Sequence, residues 1–156
     1  MDAYLVLKSV HVVGAAVLLG TGAGIAFFMV MAHRTGDAAF VAHTAGIVVV
    51  ADAFFTASAV VLQPVTGYGL AKLAGWPLGS GWVAWSLALY VVTGLFWLPV
   101  VWIQWRMRDL ARKAVAAGSA LPPEYHRLYR LWFAFGFPAF SAVLAIVWLM
   151  VAKPDI

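Results

Sequence analysis

Tyr4-Leu-Val-Leu-Lys-Ser-Val-His-Val-Val-Gly14, running on through Gly20, Gly22 and Gly24 to His33, decides how the chain is read. It exceeds the roughly 20 apolar residues that a membrane-crossing helix needs. Yet it carries Lys8 and His11 near its start, about one helical turn apart. Ionisable side chains inside a span are costly and by default mark a functional site. His11 is therefore the first residue to explain.

Working outward, the 156 residues are 65% hydrophobic and 10% charged, with eight Trp. A soluble domain carries roughly a quarter charged residues, so the composition is that of a single integral membrane domain. The chain has no cysteine, which excludes disulfides, thiolate-bound metals and cysteine nucleophiles. Met1-Asp2-Ala3 lacks a basic n-region and the apolar run behind it is too long for a signal peptide, so the first segment is expected to remain as a span.

Four apolar stretches reach spanning length: 4–31, 40–73, 82–105 and 128–152. The second is over-long and must tilt, kink or emerge. The segment Arg106–Val115 keeps helical character, so the third helix is expected to project into water. Ser119 or Pro122-Pro123 then starts the fourth. Short connections force neighbouring helices to be antiparallel, giving an all-α, up-down four-helix membrane bundle. Pro64, Pro99 and Pro138 are expected to interrupt their spans. Gly20-Thr-Gly-Ala-Gly24 has the Gly-x-x-x-Gly spacing of close helix packing; no strand precedes it, so it is no nucleotide loop.

The net charge of +4 is distributed as a membrane protein places it, not as a nucleic-acid binder does. Arg34, Arg106, Arg108, Arg112, Lys113, Arg127 and Arg130 lie at one end of the expected bundle. Only Lys8, Lys72 and Lys153 lie at the other. The positive-inside rule then puts both termini outside and the basic 106–127 loop in the cytoplasm, in a bacterial inner membrane. Tyr4, Trp76, Trp82 and Trp148 form the expected outer aromatic belt; Trp105, Tyr125, Tyr129 and Trp132 form the inner one.

Counting residues away from the turns gives depth. His11 comes level with Gln63 and Thr66 on the second helix, Trp85 on the third and Trp148 on the fourth. His43 lies about 27 Å away along the bundle, so the two histidines cannot serve one heme. Imidazole is a usual axial ligand to heme iron, and a bundle offers an apolar slot. Equally, His11 is explained as a structural histidine bonded to Gln63 or Thr66. Gln63 and Thr66 are either the groups that orient His11 or self-satisfied groups at a proline kink. Lys8 is expected to snorkel outward, within reach of a propionate.

Asp52 falls mid-span, where a carboxyl is expensive and is expected to be neutral or paired. It reads as a proton relay or as a helix-helix hydrogen bond. His33, His43 and His126, with Arg130 nearby, form either a second metal or heme site or a solvated interfacial group. Arg127 and Arg130 either set topology or hold anionic lipid or propionate carboxylates. No Ser, His and acid set lines up for hydrolysis.

With these residues in view, a resemblance emerges. Lys8-Ser-Val-His11, Thr66-Gly67, Phe137-Pro138 and the ending Leu144-Ala-Ile-Val-Trp-Leu-Met-Val-Ala-Lys-Pro154 resemble HemJ-type protoporphyrinogen oxidases and copper-resistance D membrane proteins. A closer resemblance is to an uncharacterised bacterial family of small four-helix membrane proteins. It rests on Gln63-Pro64, Trp97-Leu-Pro99, Arg106-Met-Arg108 and the Lys-Pro ending. The HemJ resemblance implies heme b with His11 as the matching ligand, and a redox or electron-transfer role with a membrane redox partner or quinone. The chain departs from that pattern at Ala84 and Ser86, at Phe96-Trp97 and at Phe135-Gly136, so the resemblance extends to the scaffold and the first-helix histidine rather than to porphyrinogen oxidation. The other expectations are a copper-handling protein using His11 and Met residues, and a cofactor-free partner protein, each embedded in lipid and able to homo-oligomerise. Among the methionines, only Met1 comes early at the outer face; Met29 and Met31 lie at the inner end.

Overall fold

The structure is a computed structural model and describes residues 2–79 and 81–155. Met1, the methionine expected near the outer face, lies outside the described residues. Four helical rods make up the fold. They are α1 (Ala3–Thr35); α2 (Ala38–Ala51), continuing through a π-helical segment (Asp52–Thr56) into α3 (Ala57–Ala74); α4 (Gly81–Ala116); and α5 (Pro123–Ala152). Each rod is long and apolar enough to cross a membrane. No strand occurs among the described residues.

The rod ends follow from local chemistry. Asp2 caps α1 by accepting from the Tyr4 amide at 3.0 Å, and Asp37 caps α2 by accepting from Ala39 at 2.8 Å. Gly36, at φ 68°, turns the chain between them, since a left-handed residue at a helix C-terminus favours glycine. Pro122 precedes α5 and Pro123 occupies its first turn, where a missing N–H costs nothing. As expected, α4 runs on to Ala116, well past the apolar stretch.

These connections define two ends. The terminal end holds both chain termini and the α3–α4 connection; the basic end holds the α1–α2 and α4–α5 connections. The buried core is concentrated toward the basic end, where Met29, Ala32, Val41, Ile103, Met107 and Leu128 interlock. Tyr125 and Trp132 belong to it as well, at 0% and 5% exposure. They are therefore packing residues, not members of the aromatic belt expected there. Toward the terminal end, α3 packs on α1 and α4 packs on α5.

One expectation about backbone irregularity is corrected: the prolines do not end their helices. Pro64, Pro99 and Pro138 lie inside helices that run unbroken through them. The irregularity in the over-long second rod is instead the π turn, in which the Ala57 amide reaches back to the Asp52 carbonyl. Such a turn inserts a residue into the helical register and is frequent at functional sites. It leaves Asp52 and Thr56 both facing inward.

The close-packing glycines are also different ones. Gly20, Gly22 and Gly24 have no chain atom within 4 Å of where a Cβ would stand, so the Gly-x-x-x-Gly face is not used between these helices. Close approach is made at Gly14, whose Cβ would lie 2.5 Å from Gln63 Nε2, and at Gly69, whose Cβ would lie 2.6 Å from Leu7. A spacing motif shows that a small-residue stripe exists, but not which way the helix turns it.

Candidate functional site: a histidine clamp and a buried carboxyl network

Toward the terminal end, antiparallel α1 and α3 bring His11 against Gln63 and Thr66. His11 Nδ1 lies 2.7 Å from Thr66 Oγ1, and the Gln63 side-chain amide donates to the His11 carbonyl at 2.9 Å. His11 is 7% exposed. The imidazole edge at Cε1 rests on Gly67, where a Cβ would stand 3.3 Å away. The layer reached by counting from the turn is thus assembled on these two helices.

The Thr66 hydroxyl has one proton and three acceptors in reach: the Leu62 carbonyl at 2.7 Å, the Gln63 carbonyl at 3.3 Å and His11 Nδ1 at 2.7 Å. With that proton on a carbonyl, His11 Nδ1 donates to Thr66 and Nε2 keeps its lone pair, the form in which a histidine ligates metal. With that proton on Nδ1, Nε2 carries the ring proton instead.

The remaining residues of that layer are arranged differently. Trp85 is 59% exposed, on the outside of the bundle, and Trp148 is exposed too. In their place α4 buries Val83 and Ser86. Lys8 is exposed, with Nζ 5.9 Å from the Tyr4 ring centroid. The Tyr90 hydroxyl of α4 reaches across to the Val60 carbonyl of α3. Pro64 has no N–H to give that carbonyl, so Tyr90 supplies the missing donor.

A second polar centre lies deeper. Asp52 is 4% exposed, and Trp97 Nε1 donates to its Oδ1 at 3.4 Å. The Gln104 amide satisfies both its neighbours when its nitrogen faces Asp52 Oδ2 at 3.3 Å and its oxygen accepts from Trp132 Nε1 at 3.2 Å. These bonds are long; the carboxyl joins the second rod to the third, and the Gln104 amide carries the connection on to the fourth. From Thr66 to Asp52 the helix axis advances about 21 Å, so the two centres are separate.

Trp97, Gln104, Trp132 and Tyr90 are the participants that residue-by-residue reading missed. Gln104, a polar residue in an apolar helix, and the carbonyl four residues before Pro64 were the available signals.

Of the three histidines at the basic end, His33 and His126 lie together and His43 lies apart. His33 stacks on Tyr129 with ring centroids 3.5 Å apart, and His126 lies edge-on to it at 5.6 Å. His43 faces elsewhere, into an open groove along the second rod that it shares with Arg112. Arg130 is exposed. Among the described residues, no three His, Cys, Asp or Glu side chains are placed to share a metal ion.

Comparison with curated proteins and with solved structures finds no match. One family does match, described as "Predicted integral membrane protein (DUF2269)", over residues 5–154. That span takes in all four rods, the His11 clamp and the Asp52 network, and the chain belongs to this family of predicted integral membrane proteins.

Proposed function

We propose that the protein binds heme b in the membrane through His11 and serves a redox or electron-transfer role. The observation that supports this reading is the His11–Thr66 hydrogen bond on a buried imidazole, which leaves Nε2 free to ligate when Nδ1 is the donor. The residues present fit such a group by donor type. His11 would supply one axial ligand, Thr66 would hold the ring orientation, and Gln63 would fix the backbone that carries it. No second histidine shares this layer, so His11 would be the one histidine of this chain to hold the group there. When bound, heme provides a one-electron couple tuned by its axial ligand and burial. Lys8, exposed near the terminal end, is the candidate contact for a propionate.

Asp52 is proposed as a proton-holding group, with Trp97 and Gln104 orienting its two oxygens. The distribution of basic residues supports placing the basic end in the cytoplasm and both termini outside.

A cofactor-free reading has one observation in its favour: the same bonds that orient His11 also satisfy it as a helix-helix clamp. Heme content per chain separates the two. Protein purified from cells with ample heme supply is expected to give a b-type pyridine haemochrome near one heme per chain, and His11→Ala close to none. Colourless wild-type protein would leave the clamp as the whole role of His11.

A further inference from the structure

Along the second rod at the basic end, beneath Arg112 of α4, lies an open groove of about 660 Å³ that His11 takes no part in. Arg112 and His43 stand at its mouth, and Ile47, Val50 and Phe55 form an apolar wall running inward from them. From His43 to Phe55 the helix advances about 18 Å, more than half of a hydrocarbon core of about 30 Å. The groove thus begins at headgroup depth with a cation and continues through acyl-chain depth with apolar, exposed side chains.

Charge accounting at this end leaves Arg112 over, together with Arg34, Lys113, Arg127 and Arg130, and of these only Arg112 lines the groove. Glu124 pairs with Arg106 at 2.8 Å, Asp109 pairs with Arg108 at 2.8 Å, and Asp37 caps α2. Among the described residues Arg112 has no carboxylate partner. Arg112 lies over Gly46, where a Cβ would meet the guanidinium in ordinary contact at 3.5 Å and a longer side chain would enter the groove.

We propose that this groove holds one anionic phospholipid, its phosphate on Arg112 beside His43 and an acyl chain along Ile47, Val50 and Phe55. Guanidinium matches phosphate in charge and in fork geometry, and basic pockets at this depth recognise anionic headgroups. A free phosphate would leave the apolar wall unexplained. A second copy, side by side in the membrane, would bring its own cluster of basic residues to the same depth. The proposal does not depend on heme.

The test is native mass spectrometry of the full chain released from detergent micelles, loaded with phosphatidylglycerol or phosphatidylcholine of matched chains. Wild type is expected to retain one phosphatidylglycerol per chain with a preference of about fivefold, the size of one arginine-headgroup contact. Arg112→Gln should lose the preference. Gly46→Leu, which keeps the charge and fills the groove, should lose the lipid. Lys72→Gln, at the terminal end and away from the groove, should match wild type, and circular dichroism should show all variants folded. Equal retention of both lipids overturns the proposal. So does loss by Arg112→Gln without loss by Gly46→Leu, displacement by excess inorganic phosphate, or a lipid-free dimer.

Discussion

The Tyr90 hydroxyl on α4 donates to the carbonyl of Val60 on α3, the group that Pro64 leaves without its helical donor. In a bilayer no water can take that place. Tyr90→Phe should therefore destabilise the protein by about 1 kcal/mol, at the upper side of what single membrane hydrogen bonds contribute. Pro64→Ala restores the amide and should make Tyr90→Phe nearly neutral. A double-mutant cycle in denaturant-titrated micelles measures this coupling. Additive effects of the two changes would rule the relationship out.

Glycine contacts make a second prediction. Gly14→Ala puts a methyl where Gln63 Nε2 sits, 2.5 Å from the new carbon, and must expel the amide from the His11 carbonyl. Gly67→Ala presses on His11 Cε1 from 3.3 Å. Both should lower the thermal midpoint in detergent, Gly14→Ala by more. Gly20→Ala meets nothing within the chain and should leave the monomer's midpoint unchanged. Equal losses at Gly14 and Gly20 would contradict the assignment of the close contact.

The Asp52 network supplies a third. Asp52→Leu removes both acceptors and strands Trp97 and Gln104, costing about 1 kcal/mol per bond. Asp52→Asn keeps an oxygen for Trp97 but turns an amide toward Gln104, losing one bond. Unfolding midpoints should fall in the order wild type, Asp52→Asn, Asp52→Leu. An Asp52→Asn midpoint equal to that of wild type would show that Gln104 does not donate to Asp52.

How far these features can be read without coordinates differs from residue to residue. The four rods are written in hydropathy, and the level of His11, Gln63 and Thr66 in residue counting, because a short turn fixes the depth of two antiparallel helices. Rotation about each helix axis is not written there. Trp85 shares the depth of His11 yet faces outward, and Gly20 and Gly24 keep their spacing while facing away from every other helix of the chain. His43 and His33 share a level but line different surfaces. The π turn carries an Asp52 carboxyl whose partners both come from α4, with Gln104 passing the network on to Trp132 of α5. Its trace in the sequence is the excess length of the second apolar stretch.

The central claim is that His11 Nε2 is the axial ligand, and the visible spectrum of purified protein, oxidised and reduced, tests it most directly. Wild type should show a Soret band that shifts on reduction. His11→Ala, folded by circular dichroism, should lack it and regain it with added imidazole, while Thr66→Val, which removes the group orienting Nδ1, should keep heme with a shifted or broadened band. A wild type without a Soret band, or a His11→Ala variant with an unchanged one, would contradict the account.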